Sequence, residues 1–319
     1  MRTNAVRQTF SPGAPAARER RSDLRVFSSV TIGGLSTACV SRRQLSQVMV
    51  GDCLAARGGQ RTAKLVFASN GHVIALAALD SRFRDRFEQA DLIHADGEPV
   101  VFASKLLTAT PVPERSATTD FLFDAAHAAR DNGLKFYLLG STEEVNARAA
   151  AKLKECCPGI EIVGRRNGYF KREEEAGVCA EINACGADVV WVGLGVPFEY
   201  DFCLRNKANL KAGWIVTCGG CFNFAAGDYL RAPAWMQKNG FEWLYRVWRE
   251  PRRLFWRYAV TNPVAVLMLL FKTGPGKADN RRRVCRARAD DLVWTQSCQL
   301  PAPQLSPRHA WFGGGPLRF

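Results

Sequence analysis

Short apolar runs alternate with amphipathic stretches through the middle of the chain. The run KLVFAS (residues 64–69) leads into a helix-like stretch at 70–90, and DLIHAD (91–96) is strand-like again. Four further strand-like runs follow, separated by helical patterns of about 10 to 15 residues. They are LKFYLLGS (134–141), IEIVGRR, ADVVWVGLG and GWIVTCGG. This alternation predicts βαβ crossovers, and hence an α/β, Rossmann-like fold whose mostly parallel sheet has helices on both faces.

Ligands of such sheets bind in the crevice beyond the carboxyl ends of the strands. Neither a dinucleotide-binding glycine fingerprint nor a phosphate-binding Walker loop occurs at the predicted strand ends. Ser141 and Glu144 are predicted to form a capping box for the helix after the third strand-like run. The candidate binding residues at the strand ends are Asn70, Asp96, Gly140, the segment 193–199 with Gly193, Gly195 and Glu199, and the segment 219–223.

Three charged residues near these strand ends have two interpretations each. Asp96, followed by Gly97, is either the N-cap of the next helix or a general base held at the cleft. Arg115 either binds a diphosphate or makes a surface ion pair. Asp120, in a helix that we expect Thr118 or Thr119 to cap, is either a helix N-terminal charge or an acceptor for a sugar hydroxyl. The pattern alone leaves these alternatives open.

Charge and cysteine content narrow the class of protein. The 44 Lys and Arg against 30 Asp and Glu give a formal net charge of +14, which favours nucleic acid, a phosphorylated substrate or an acidic membrane surface as partner. Eleven cysteines without framework spacing indicate a reducing compartment with mostly buried thiols. The pair Cys218 and Cys221 is interpreted as a turn after a strand, with a metal or redox site as the alternative. The apolar stretch 258–271 is expected to be too short to cross a membrane.

Residues 231–258 are both basic and aromatic, with seven Lys or Arg, two Glu and eight aromatic side chains. Phe241, Leu244, Tyr245 and Trp248 recur with helical spacing, so they share one face. Pro251 is expected to begin a new helix. The segment is either ordinary core with a solvated basic face or an amphipathic lid that meets a membrane and lipid phosphates.

Four parts are predicted along the chain. Residues 1–28 are expected to be a disordered basic arm, with a transit peptide as the alternative. The α/β core covers 29–229, and a C-terminal helical amphipathic appendage covers 230–272. Residues 273–319 are expected to be a loose basic tail.

The chain resembles the WecG/TagA/CpsF family of bacterial glycosyltransferases over residues 30–272. The motifs that carry the resemblance are ADGEPVVFASKLL, ERSATTD, KFYLLGS, VVWVGLGVP and GDYLRAPAWMQKNGFEWLYRVWREPRRLFWRY. The resemblance implies transfer of a hexose, of the N-acetylmannosamine type or related, from a UDP-sugar to a polyprenyl-diphosphate-linked saccharide. The reaction would be an inverting single displacement in cell-surface or exopolysaccharide biosynthesis.

The resemblance also implies roles for matching positions. Asp96 would be the catalytic base, Asn70 would contact donor or acceptor, and Arg115 would lie near the diphosphate. The appendage would cover the active site and associate with the membrane. Its matching residues are Arg231, Arg246, Arg252, Arg253 and Arg257, and from the same basic and aromatic segment Arg249, Trp243 and Trp248 are also assigned to the lipid diphosphate or the membrane.

Three positions depart from the pattern of the family. Ala68 stands where Thr is usual, Glu199 replaces a Gln, and Asn223 replaces an Asp. Each change alters hydrogen-bonding capacity in the proposed pocket, and such changes decide which sugar a site accepts. The resemblance therefore supports the reaction class and leaves the sugar open.

The chain has no Asp-x-Asp motif and four His. We therefore expect no metal and no cofactor beyond the UDP-sugar donor, with arginines and backbone N–H groups stabilising the leaving diphosphate. One alternative is a nicotinamide-dependent enzyme acting on nucleotide sugars, which the missing glycine fingerprint disfavours. Another is a non-catalytic protein that binds a nucleotide sugar, nucleic acid or anionic lipid on the same fold.

The resemblance to the glycosyltransferase family implies a set of partners. They are the UDP-sugar donor, the polyprenyl-diphosphate-linked acceptor and an anionic inner-membrane surface, with no nucleic acid and with a homo-oligomer left open. The expected location is cytoplasmic, peripheral on the inner face of the cell membrane.

Overall fold

The computed structural model describes residues 27–59 and 63–275. A hairpin of β1 (Ser29–Ile32) and β2 (Leu35–Ala38) precedes six further strands. These are β3 (Lys64–Ser69), β4 (Leu92–Ala95), β5 (Lys135–Gly140), β6 (Glu161–Arg166), β7 (Val189–Gly193) and β8 (Trp214–Thr217). They form one parallel sheet in the order β4-β3-β8-β7-β5-β6. The predicted Rossmann-like α/β fold is confirmed.

Helices connect the strands and continue after the last strand of the large sheet. The helices of the core are α1 (Arg42–Arg57), α2 (Gly71–Leu79), α3 (Ser81–Phe87), α4 (Glu98–Leu107), α5 (Thr118–Asp131), α6 (Glu143–Cys156), α7 (Glu175–Ala184), α8 (Phe198–Asn206) and α9 (Cys221–Ala225). Those of the appendage are α10 (Ala234–Lys238), α11 (Glu242–Arg249) and α12 (Pro251–Phe271), after which β9 (Gly274–Pro275) ends the described chain.

The sheet is buried on both faces because successive side chains of a strand point to opposite sides. In β5, Phe136 and Leu138 join a cluster with residues of α1, α5 and α6. Tyr137 and Leu139 join a second cluster with residues of α2, α3, α7 and α8. Continuous apolar runs such as those of β5 and β7 are therefore what a doubly covered parallel sheet requires.

Two local details differ from the sequence prediction. The stretch at 70–90 breaks into two helices at Asp80, whose carboxylate accepts a hydrogen bond from Arg82 N at 2.8 Å. Ser141 does not cap α6, because its backbone lies in the left-handed region with φ of 59°. The N-cap is Thr142, whose hydroxyl accepts from Val145 N at 3.3 Å.

The first hairpin and the helix after it were not predicted from the sequence. Gly33 and Gly34 have φ of 58° and 88°, the left-handed conformation that a tight two-residue hairpin turn requires. Ser41 and Gln44 form a capping box at the start of α1. A Gly-Gly pair between β-branched runs, followed by a Ser-x-x-Gln spacing, was the signal that could have predicted both elements.

The appendage returns to the core at its end. Gly34 N donates to Lys272 O at 2.8 Å, Gly33 N donates to the Thr273 hydroxyl at 3.1 Å, and β9 pairs antiparallel with β1. The chain just after residue 272 is therefore part of a small three-stranded sheet. Our four-part division stays a prediction, and the predicted arm and tail lie almost entirely outside the described residues.

Helix α12 is longer than the sequence reading expected. Pro251 begins it as predicted, Pro263 lies inside it without ending it, and residues 254–271 are long and apolar enough to cross a membrane by length and composition. The expectation that the stretch is too short is thus corrected. Core helices of soluble proteins meet the same two criteria, and α12 packs against α2, where Gly71 faces Ala265.

The cysteines of the described chain are thiols, and most of them are buried. None of the nine forms a disulfide, and six are buried. Cys218 follows β8 and Cys221 begins α9, so the two flank the turn that was predicted after this strand.

Replacement of Asp188 tests the anchoring of the sheet at the starts of its strands. Its buried carboxylate accepts hydrogen bonds from Arg57 Nε at 2.6 Å and from Lys135 N at 2.7 Å. We expect Asp188→Ala to lower the free energy of unfolding by about 3 kcal/mol, since both donors lose their partner. Urea unfolding measures this loss. Asp131 is exposed and pairs with the adjacent Arg130, so Asp131→Ala serves as the control and should change the free energy of unfolding by less than about 0.5 kcal/mol. An equal loss of stability in the two variants would contradict the anchoring role of Asp188.

Candidate active site

A cavity of about 210 Å³ lies at the carboxyl ends of β3 and β4 beneath the appendage. Core and appendage both contribute to its wall. The residues that line it are Asn70, Gly71, His72, Asp96, Gly97, Glu98, Pro99, Arg115, Ala117, Thr119, Phe224, Gly240, Glu242, Trp243, Arg246, Arg257, Tyr258 and Asn262. It therefore brings together three residues that the sequence predicted separately: the candidate base, Asn70 and Arg115.

Asp96 follows the last residue of β4 and joins two other elements. Its Oδ1 accepts a hydrogen bond from Thr118 N at 2.8 Å, and its Oδ2 accepts from Asn70 Nδ2 at 3.2 Å. The N-cap alternative for α4 is wrong, because Gly97 occupies that position without a side-chain bond. The carboxylate instead meets the first N–H of α5, where the expected capping by Thr118 or Thr119 is also wrong and Ala117 is the N-cap.

Asn70 is held by two bonds of its own side chain. It is the N-cap of α2, with Oδ1 accepting from Val73 N at 3.1 Å, so its Nδ2 is directed to Asp96. Gly97 packs closely beside it, since a Cβ there would lie 3.3 Å from the Asn70 Cβ. Asn70 thus orients the Asp96 carboxylate.

Arg115 and Asp120 are both engaged by ion pairs with other elements. Arg115 Nη1 lies 3.0 Å from Glu242 Oε2 in the appendage, and only 13% of its side chain is exposed. Asp120 pairs through both oxygens with Arg231, at 2.8 and 3.3 Å, and lies 3.4 Å from Arg42. The Arg115 pair is therefore inside the cleft, and the oxygens of Asp120 are occupied by arginines.

The predicted glycines lie at the ends of β5 and β7. Gly140 has φ of 139°, and a Cβ on it would lie 2.2 Å from Gly193 O. Ser141 N donates to Gly193 O at 3.1 Å, and the Ser141 hydroxyl donates to Asn223 Oδ1 at 3.4 Å. Backbone therefore approaches backbone here, and only glycine fits at residue 140.

Glu199 is buried beside this edge, where its side chain is 2% exposed. Its Oε2 accepts from Gly195 N at 3.2 Å and from Gly219 N at 3.0 Å. Burial raises the pKa of the Glu199 carboxyl to about 7, although the two backbone N–H groups lower it. The carboxylate thus joins the loops after β7 and β8, and its role as a direct substrate contact stays a prediction.

The predicted residues of the appendage divide between the cleft and the outer surface. Arg246, Arg257 and Trp243 line the Asp96 cavity, and Arg246 lies over the Phe224 ring with 5.4 Å to its centroid. Arg249 lines a neighbouring cavity of about 240 Å³ that shares Phe224 and Arg246 with the first.

The remaining predicted appendage residues do not line the Asp96 cavity. Arg231 is mostly buried against Asp120, whereas Trp248 is 77% exposed and Arg252 is exposed. The side chain of Arg253 lies outside the described part of the chain.

Sequence reasoning missed His72, Glu242 and Tyr258 in the cavity wall. Burial, with a smaller contribution from Arg257, lowers the pKa of His72 to about 3, so its imidazole is neutral at physiological pH. Its position two residues after the predicted strand end at Asn70 was the available signal. Glu242 had none, because its partner Arg115 is 127 residues away.

The described residues contain no group of three or more His, Cys, Asp or Glu side chains placed to hold a metal ion. His94, close to Asp96 in sequence, is fully buried with Nδ1 at 3.0 Å from the Ser116 hydroxyl. That hydroxyl donates to Ala95 O, so the His94 Nδ1 carries the proton. His94 is therefore a structural residue behind the strand end.

Residues 30–278 match the model of the Glycosyl transferase WecG/TagA/CpsF family. A similar protein is an N-acetylglucosaminyldiphosphoundecaprenol N-acetyl-beta-D-mannosaminyltransferase of Bacillus spizizenii. It is 29% identical over 211 residues, which are 66% of this chain and 80% of the relative. The match to the family spans the sheet, the Asp96 cavity and the appendage.

The buried carboxyl of Glu199 should make stability depend on pH. The folded protein keeps this proton up to about pH 7, whereas the unfolded carboxyl releases it near pH 4.5. Stability is therefore lost as the pH rises between these values. Glu199→Gln has no proton to lose, so we expect it to be more stable than the wild type by about 3 kcal/mol at pH 8 and equal to it near pH 4.5.

Thermal and urea unfolding from pH 4.5 to 8 measure this difference. The exposed Glu88→Gln serves as the matched control and should show no such trend. A constant difference between Glu199→Gln and wild type across the range would show that Glu199 is not held protonated by its burial.

Proposed function

Because the chain belongs to the WecG/TagA/CpsF family of glycosyl transferases, we propose that it transfers a hexose from a UDP-sugar to a polyprenyl-diphosphate-linked saccharide. The N-acetylmannosamine type is the first donor to consider, since the relative from Bacillus spizizenii is named as an N-acetylmannosaminyltransferase acting on a diphosphoundecaprenol acceptor. The product would enter cell-surface or exopolysaccharide biosynthesis.

The observation that carries the proposal is the oriented carboxylate of Asp96 in a cavity lined by three arginines. Asn70 and Thr118 N hold the carboxylate, and Arg115, Arg246 and Arg257 line the same space. A base needs a fixed position within reach of the hydroxyl that it deprotonates. A departing diphosphate needs positive charge that is already in place. The cavity offers both.

Asp96 would act as general base in a single displacement. It takes the proton of the acceptor hydroxyl while that oxygen forms a bond to the anomeric carbon of the donor sugar. The bond from the anomeric carbon to the diphosphate oxygen breaks, UDP leaves, and the anomeric configuration inverts. His72 is a poor candidate for this task, because a pKa of about 3 leaves it unable to hold a proton at neutral pH.

The arginines would stabilise the charge that develops on the leaving UDP. Guanidinium groups bind phosphate oxygens in pairs and keep their charge at every physiological pH. We accordingly propose a metal-independent reaction with no cofactor besides the donor. Chelation of divalent ions with EDTA should then leave the rate unchanged.

The outer surface of the appendage favours a peripheral position on the inner face of the cell membrane. Trp248, Trp256 and Phe271 are each more than 70% exposed, and Arg249 and Arg252 lie between or beside them in sequence. Aromatic and basic side chains together suit the interface of an anionic bilayer. A lipid-linked acceptor would be reached from that position.

Transfer is tested with purified protein, EDTA, a panel of UDP-sugars and a short-chain polyprenyl-diphosphate-linked sugar. We expect UDP release from one donor that requires the acceptor, because attack by the acceptor hydroxyl breaks the bond to UDP. Binding of a nucleotide sugar without release in the presence of any acceptor would instead favour a non-catalytic binding protein.

Replacement of Asp96 tests the assignment of the base. Asp96→Asn keeps the shape of the side chain and the contact with Thr118 N but removes the basic oxygen, so we expect turnover to fall by about 100-fold or more with UDP affinity unchanged. Asp85→Asn, on the exposed side of α3, is the control. Turnover near that of the wild type in Asp96→Asn would remove Asp96 from the mechanism.

A further inference from the structure

One carboxylate of the appendage bridges Arg115 in the cavity wall and Arg231 outside it. Glu242 Oε2 lies 3.0 Å from Arg115 Nη1, and Glu242 Oε1 lies 3.5 Å from Arg231 Nε. The two guanidinium side chains are only 13% and 16% exposed. Glu242 therefore neutralises positive charge that is largely removed from water.

Arg231 has one N–H group that donates no hydrogen bond among the described residues. Its two terminal nitrogens bond to Asp120, to the Thr119 hydroxyl and to Gln237. Its Nε is buried without a hydrogen-bond partner among the described residues, because Glu242 at 3.5 Å makes an ion pair only. A buried N–H of this kind costs free energy until a better placed acceptor arrives.

The cavity is small for the reaction proposed for it. About 210 Å³ is below the roughly 300 to 1,000 Å³ typical of pockets that enclose a ligand. A sugar donor and a saccharide acceptor together need more space. A shift of the start of α11, which contributes Glu242 and Trp243 to the wall, would enlarge the cavity.

Helix α11 is weakly attached to the core. Neither α10 nor α11 has a buried residue, whereas the chain on either side is fixed at Arg231 and at the strand pairing of residues 274–275. The ion pairs of Glu242, the first residue of α11, hold this helix over the cavity together with the contact of Arg246 with Phe224 and the contact of Trp243 with Tyr258 of α12.

We propose that Glu242 is a counter-ion gate, which occupies Arg115 and Arg231 in the absence of substrate and yields them to a diphosphate. The inference rests on the proposed function for the identity of the ligand, because carboxylate and phosphate oxygens use the same guanidinium geometry. The entering diphosphate replaces Glu242 at the two arginines, and the first turn of α11 shifts as the carboxylate is displaced.

If Glu242 is a gate, its replacement should strengthen the binding of an anion. Removing the charge of Glu242 removes the competitor of the incoming anion, so Glu242→Gln should bind inorganic diphosphate about fivefold more tightly than the wild type. A purely structural Glu242 would have the opposite effect, since its loss would disorder the site. Isothermal titration calorimetry of the full chain with inorganic diphosphate measures the change.

Two further variants separate the gate from a general charge effect. Glu98→Gln removes the same charge from the wall of the same cavity without breaking a pair with Arg115 or Arg231, and it should change the affinity by less than twofold. In an Arg115→Gln background the added Glu242→Gln change should lose most of its effect. Equal tightening by Glu98→Gln, or a weaker or unchanged affinity in Glu242→Gln, would overturn the gate, as would absence of diphosphate binding by both proteins.

Hydrogen exchange of the backbone amides gives an independent readout. Without ligand, α11 should exchange several-fold faster in Glu242→Gln than in the wild type, and diphosphate should accelerate its exchange in the wild type. Identical exchange in all three samples would contradict the gate. None of these measurements requires sugar transfer, so an inactive protein with tighter binding in Glu242→Gln would refute the transferase proposal and leave the gate in place.

Discussion

The two hydrogen bonds that Asp96 receives organise the carboxyl edge of the sheet. Thr118 N comes from the start of α5 and Asn70 Nδ2 from the end of β3, so one carboxylate joins three elements. A carboxylate with two fixed donors has one orientation, which is what a base aimed at a substrate hydroxyl needs. Asn70 in turn is fixed because its other amide atom caps α2. The position of the candidate base is thus a consequence of how the strands end.

At the ends of β5 and β7 the elements are joined by contacts between backbone atoms. Gly140 lies against Gly193 because it has no Cβ, and a Cβ on Gly193 would lie 3.0 Å from Gly219 O. Glu199 joins the next two loops through Gly195 N and Gly219 N. Above this rigid edge lie α10 and α11, which bury no residue. A fixed floor under a loosely held cover suits an enzyme that must admit two substrates and then exclude water.

The sequence predicted the sheet well because its information is local. Runs such as residues 64–69 and 135–140 are buried on both faces, and continuous apolar composition is enough to identify them. Asn70 and Asp96 were predicted to lie together because the carboxyl ends of parallel strands meet at one edge, whereas Arg115 was singled out from its place just before a helix. Ser141 was misassigned because a cap depends on backbone dihedral angles that a Ser-x-x-Glu spacing does not specify.

The partners of the site residues could not be predicted, because they come from distant parts of the chain. Arg115 meets Glu242 and Arg231 meets Asp120 across more than 100 residues. Glu242 is one of two Glu in the basic segment 231–258, and nothing in the sequence assigned it a role. Only the fold shows that it points back to the core.

The position of bound UDP in a crystal structure tests the central claim most directly. The account predicts that phosphate oxygens of UDP lie within about 3 Å of at least one of Arg115, Arg246 and Arg257, with the diphosphate in the cavity that contains Asp96. A diphosphate bound outside that cavity, with Asp96 facing solvent, would contradict it.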